Sequence, residues 1–193
     1  MESATRLFLE KGFASTSTTE IARDAGCNQA LVHYYFRTKD KLFEAIFKSK
    51  MTLFLKSFLQ PGLESLSFEE RLGKKIRDHF DLIAANPKLP LLIFSEVNAN
   101  PERLKLFVNA LEATPQQVLK SLDDDLQKEI KAGRVREMTV FELMLNMLSL
   151  NITGFLMEGP IKAITGLTDD AYQEMLKRRR EENVKIILKG IKP

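Results

Sequence analysis

Residues 18–36, TTEIARDAGCNQALVHYYF, gather hydroxyl, amide, imidazole and phenol groups within nineteen positions. A glutamine such as Gln29 can pair bidentately with adenine, and a small side chain such as Ala30 can meet a thymine methyl in the major groove. Thr18, Thr19, His33 and Tyr34 suit phosphate oxygens, contacts that fix register without reading sequence. Asn28 is well suited to cap a helix beginning there. Lys39, a little further on, adds a positive charge at the start of another helix, whose N-terminus favours an anion. This is the chemistry of double-stranded nucleic-acid recognition.

Those groups act together only if two short helices present them. The pattern predicts helices over 18–24 and 28–35 joined by a tight turn, a helix-turn-helix. Two helices crossing steeply need a small residue at the crossing, and Ala22 is placed for it. Gly26 lies at the turn, where a positive φ costs glycine nothing. Ile21, Ala25, Cys27 and Val32 have the spacing to close a miniature core, and Phe36 lies four residues after Val32 on the same face. A small half-apolar thiol suits that core, so Cys27 reads as packing.

The rest of the chain is helical in pattern, with apolar residues at three- and four-residue spacing and no alternating strand pair. A first helix carries Ala4, Leu7 and Phe8 and ends at Gly12. A long helix from Lys39 carries Leu42, Phe43, Ile46, Phe47, Phe54, Leu55 and Phe58, and Pro61-Gly62 stops it. Ser67-Phe-Glu-Glu70 is a capping box opening a helix that runs to about Asn86-Pro87. Further helices are expected at 88–98, 101–112 and 115–132. The last two, at 139–158 and 169–190, are separated by Gly159-Pro160 and Gly166. The expected architecture is all-α, with a helix-turn-helix domain at 1–46 and a helical regulatory and dimerisation domain at 47–193.

Composition sets the class. The chain has 193 residues, 44% hydrophobic and 28% charged, with net charge +3, the profile of an ordinary folded protein. One cysteine allows no internal disulfide, and no run reaches the roughly 18–20 apolar residues of a membrane span. With no signal-peptide pattern at the N-terminus, the expectation is a cytoplasmic protein without a membrane partner. There is no Gly-rich phosphate loop, no Cys/His metal spacing and no serine elbow motif, so neither an enzyme nor a bound cofactor or metal is expected. His79 reads as a surface or cavity-edge residue. The run Lys177-Arg-Arg-Arg180, flanked by Glu174, Glu181 and Glu182, reads as a salt-bridged helix face.

From Leu7 to Phe47 the chain resembles the DNA-binding domain of the TetR family of bacterial regulators. The likeness runs through Leu7-Phe8, Glu10-Lys-Gly-Phe13, the Thr/Ser run 15–19, Ile21-Ala22, Ala25-Gly26, Tyr34-Tyr35-Phe36 and Lys39-Asp-Lys-Leu-Phe43, in order and without gaps. It implies DNA contacts from Thr18, Thr19, Asn28, Gln29, Ala30, His33, Tyr34 and Lys39. Two positions depart from the family pattern. Leu31 stands where a small hydroxyl residue is usual, which removes a phosphate contact, and His33 stands where tyrosine is common. The first helix also starts almost at Met1, without the usual charged lead-in, so either the chain is shortened or it makes fewer backbone contacts.

The resemblance further implies a homodimer on operator DNA, held by the last two long helices, and a small-molecule effector in the C-terminal domain. Leu143, Met147, Leu150, Phe155, Tyr172, Leu176, Ile187 and Leu188 are the expected interface. The functional expectation is a repressor released from DNA by its ligand. An activator, or a regulator with no ligand, is the alternative within that class. A helical carrier or enzyme for hydrophobic molecules, with a merely structural N-terminal unit, leaves the polar surface of Gln29, Tyr34 and Lys39 without a purpose.

Overall fold

The computed structural model describes residues 1–58, 63, 65–99, 105 and 115–193. Ten helices lie among them: α1 Glu2–Lys11, α2 Thr18–Asp24, α3 Gln29–Phe36, α4 Lys39–Phe58, α5 Phe68–Ala84, α6 Leu89–Ala99, α7 Pro115–Lys131, α8 Val140–Leu156, α9 Glu158–Thr165 and α10 Asp169–Gly190. No strand occurs among the described residues. The helix expected at 101–112, the side chains of Phe54 and Phe58, and the stop at Pro61-Gly62 lie outside them. Among the described residues no single helix is long and apolar enough to cross a membrane.

The chain folds into two compact units, Met1–Leu53 with Lys88–Glu112, and Phe54–Pro87 with Ala113–Pro193. The first unit therefore extends past residue 46 and takes back a later piece of chain. Its core joins Ala4, Leu7 and Phe8 of α1 to Ile21 and Ala22 of α2, Val32 of α3, and Leu42, Phe43, Ile46 and Phe47 of α4. Leu92 of α6 is buried in the same cluster, with Ile93 packed beside it. Phe43 sits at the centre, meeting Phe8 edge-on at 5.1 Å and Phe13 at 5.0 Å between ring centroids. Such aromatic pairs add about 0.5–1.5 kcal/mol each beyond the area they bury. Ion pairs from Arg6 to Asp24 and Lys11 to Glu20 tie α1 to α2 at the surface.

The second unit centres on α5, α8 and α10, which pack pairwise, while α7 and α9 pack on α8. The capping boxes Ser67/Glu70 and Thr139/Glu142 start α5 and α8. Phe80 and Ile83 of α5 meet Phe155 of α8 and Tyr172 and Leu176 of α10. The Tyr172 hydroxyl donates to the Gly154 carbonyl at 2.5 Å. At Gly154 two helices approach closely, and an added Cβ would lie 3.0 Å from Leu176. Arg77 grips Glu181 through three hydrogen bonds of 2.9–3.0 Å, and Arg180 reaches Asp81 at 2.6 and 2.7 Å. The basic run on α10 is thus partly a strap to α5.

Two expectations need correction here. Glu158–Thr165 is a helix rather than a break, because Pro160 falls in its first turn, where no backbone N–H is required. His79 is not a surface residue but fully buried. Its Nδ1 lies 3.0 Å from Asn151 Nδ2, which also donates to the Ile76 carbonyl at 2.9 Å. Asn183 donates to Asn151 Oδ1 at 2.9 Å and to the Leu150 carbonyl at 3.0 Å. One polar residue from each of three helices therefore meets inside an otherwise apolar core. Burial holds the His79 imidazolium back, with its pKa pushed down to about 4.

Candidate nucleic-acid interface

α2 and α3 are both started by side-chain caps. Ser17 accepts from the Glu20 N–H at 3.1 Å, and Asn28 Oδ1 accepts from the Leu31 N–H at 2.8 Å. Between the helices Gly26 has φ +67°, and the Cys27 N–H closes the turn on the Ala22 carbonyl at 2.9 Å. Ala22 is buried, as a close helix crossing requires, and Cys27 is half-buried against the unit's core. Ala25 does not join them: it is exposed, because it caps α2 on the outside of the turn.

α3 is anchored beneath by Val32, its one buried residue, with Phe36 packed at the cluster's margin. Its remaining residues face solvent. Asn28, Gln29, Ala30, His33 and Tyr34 are exposed, as is Thr19, while Thr18 and Lys39 are half-buried. A cleft of about 310 Å³ brings Thr18, Gln29, His33 and Lys39 together with Val32, Arg37 and Thr38. Gln29 Nε2 donates to Thr18 Oγ1 at 3.1 Å, so the amide is already oriented by α2. Gln29 and His33, four residues apart, share one edge of the helix, and Arg37 follows just past its end.

Lys39 is placed differently from a free phosphate clamp. Its ammonium donates to the Phe13 carbonyl at 2.9 Å and the Thr16 carbonyl at 3.0 Å, and lies 4.2 Å from the Phe13 ring centroid. Two of its three donors thus hold the turn after α1 against the start of α4. Asn28 similarly spends its oxygen on the cap and keeps its Nδ2 donors. Arg37 and Thr38, which line the cleft, were not expected from the sequence. Thr38 caps α4 through the Lys41 N–H at 3.1 Å, and Arg37 adopts φ +64° at the end of α3. The four-residue spacing from Gln29 through His33 was the signal that leads to Arg37.

Most of the residues expected at a dimer interface are covered by this chain itself. Leu143, Met147, Phe155, Tyr172, Leu176 and Ile187 are buried within this chain's own second unit. They have almost no surface left to give a partner. Leu150 and Leu188 are half-buried. The large apolar residues exposed on the same two helices are Phe141, Leu145 and Leu156 on α8 and Ile186 on α10. Among the described residues no cluster of His, Cys, Asp or Glu is arranged to hold a metal ion.

The geometry fits duplex recognition: a capped helix held from below, with hydrogen-bonding and cationic groups along one exposed edge. Residues 1–46 match the model of bacterial regulatory proteins of the tetR family. The chain is 25% identical over 137 residues to the fatty acid metabolism regulator protein of Bacillus subtilis, covering 71% of this chain and 69% of that one. The crystal structure of Bacillus subtilis FadR in complex with stearoyl-CoA superposes with TM-score 0.69 at 20% identity, over 98% of this chain and 96% of the other. The TetR family regulator PfmR from Thermus thermophilus gives 0.68 at 18% identity, over 100% and 98%. Residues 1–46 thus carry the helix-turn-helix of the tetR family of bacterial regulatory proteins, and the fold along the chain is that of solved TetR family regulators.

Proposed function

We propose that this protein is a homodimeric repressor that leaves its operator when the second unit takes up a small molecule. The observation that carries the DNA half is the exposed edge of α3, where Gln29, His33 and Arg37 flank one cleft with Thr18. Gln29 reads a base, while Thr19, Tyr34, Asn28 through its amide, and Arg37 hold phosphates; Ala30 lies against the bases. A twofold dimer sets two such helices roughly 34–36 Å apart, one turn of duplex.

The dimer contact uses what the fold leaves outside. Phe141 and Leu145 are 69% and 65% exposed, and Ile186 is 45% exposed. Covering a large apolar side chain contributes about 1.5–3 kcal/mol, and a twofold axis doubles each contribution. Leu150 and Leu188 complete the patch from its half-buried margin. A ligand that prefers a conformer with different spacing between the reading helices lowers DNA affinity by the ratio of its own affinities. Similarity to a fatty acid metabolism regulator supports a long-chain acyl-CoA as the ligand class.

Selection from random duplexes with the purified full chain tests the reading. It should return a palindrome whose binding falls steeply with salt, and stearoyl-CoA should release the selected duplex. Leu145→Glu should give a folded monomer that no longer binds it. An asymmetric motif, or a Leu145→Glu protein that remains a dimer, overturns the proposed assembly. Binding unchanged by saturating stearoyl-CoA overturns the ligand class.

A further inference from the structure

α3 has a second edge that the polar cleft does not use. Leu31 and Tyr35, four residues apart, lie on it, with Tyr34 beside them, and all three are exposed. Leu31 is 45% exposed, and both tyrosines are 68% exposed with their rings 5.3 Å apart, edge to face. The helix is already anchored through Val32, and Leu31 lies outside the apolar cluster that does so.

Leu31 has little to offer a phosphate. Its side chain has no donor, and its N–H is taken by Asn28 Oδ1 at 2.8 Å. What it presents is apolar surface, at the third residue of the helix. In a recognition helix the N-terminal residues are those that reach base edges, whereas later ones fall toward the backbone. The one large apolar group on the major-groove edge of an ordinary base pair is the C5 methyl of thymine.

We propose that Leu31 determines sequence preference by packing on a thymine methyl at one fixed position of each half-site. The inference rests on the reading of α3 as the DNA-recognition helix. Gln29 and His33 then serve the hydrogen-bonding side of the groove, and Leu31 serves its apolar side. A serine or threonine at this position could donate to a phosphate oxygen, whereas leucine can contribute only apolar contact.

The test removes the methyl and nothing else. Each thymine of the selected duplex is replaced in turn by deoxyuridine, symmetrically in both half-sites, and affinity is measured by fluorescence anisotropy. At one position the wild type should bind about fourfold more weakly per half-site, the worth of one buried methyl. Leu31→Ala should bind the thymine and uracil duplexes alike, and Leu31→Met, which keeps an apolar reach, should retain most of the difference. A wild type indifferent to every replacement overturns the proposal, as does a selected motif without thymine. So does a Leu31→Ala protein that keeps the full methyl dependence, which would assign the methyl to a neighbour such as Ala30. Failure to select any duplex defeats the DNA reading itself, a result separable from all of these.

Discussion

α3 and α8 are both rich in apolar residues, yet they keep opposite relations with solvent. α3 buries Val32 alone among its eight residues, and its rim of leucine, tyrosine, histidine and glutamine faces out. α8 buries Val140, Leu143, Met147, Asn151, Gly154 and Phe155, and what it leaves outside near its start includes Phe141 and Leu145. The contrast lies in the chemistry of what is exposed. A mixed polar and aromatic rim suits the grooves of a duplex, where hydrogen bonds carry information. Large exposed apolar side chains such as Phe141 and Leu145 suit another protein surface, where burial supplies the energy. The interiors differ in the reverse sense. The first unit's core is apolar apart from Thr16, while the second unit's core holds His79, Asn151 and Asn183.

That interior difference predicts the largest effect, and one confined to the second unit. His79 has a folded pKa of about 4 against an ordinary value of 6.5. Between those values the unfolded chain binds the extra proton, so its contribution is complete above pH 6.5 and is lost as pH falls toward 4. The loss amounts to about 3 kcal/mol. Urea titrations from pH 7 to pH 4 should show this slope in the wild type, and His79→Gln should be flatter by that amount. Parallel curves for the two proteins would mean that His79 is not buried as described.

Ala22→Leu probes the first unit. Three more carbons at a crossing already closed cost about 1–3 kcal/mol. Operator binding should be lost while the pH response of the second unit stays intact. Unchanged affinity would show that α2 and α3 do not meet at Ala22.

The smallest effects separate two residues of the same cleft. Gln29→Ala should relax preference at one base pair, at a cost of about 1–3 kcal/mol against the wrong base. Lys39→Ala should weaken every duplex alike and, because its ammonium holds the Phe13 and Thr16 carbonyls, should also cost about 1 kcal/mol of stability. A Lys39 variant with normal thermal stability and a salt slope one unit lower would make it a plain phosphate contact instead.

The helix-turn-helix was legible because its constraints are local. A glycine at positive φ, an alanine at a crossing and a cap at Asn28 all lie within a few residues of what they control. Where contacts are distant, the sequence was silent. Nothing near His79 announces Asn151 or Asn183, which come from other helices. On α8 the apolar residues run nearly all the way round, so spacing could not tell the core face from the outer one. Leu143 and Met147 went inside, and Phe141 and Leu145 stayed out. Ala25 misled for a similar reason, since a small apolar residue beside a turn fits either side of it. The return of α6 to the first unit had no signal at all, because Leu92 is an ordinary leucine in an apolar helix.

That return bears on how such regulators can be recombined. The family match ends at residue 46, which invites cutting there and joining the reading head to another sensor. The physical unit does not end there, since Leu92 belongs to its buried cluster and Ile93 packs against it. A graft of residues 1–46 inherits a socket shaped for a helix encoded some forty residues downstream. It should perform only when the recipient supplies an α6 of matching shape, or when Leu92 and Ile93 travel with it. Exchange of whole heads by recombination is therefore constrained by two separated stretches of gene, and drift in one must be answered in the other.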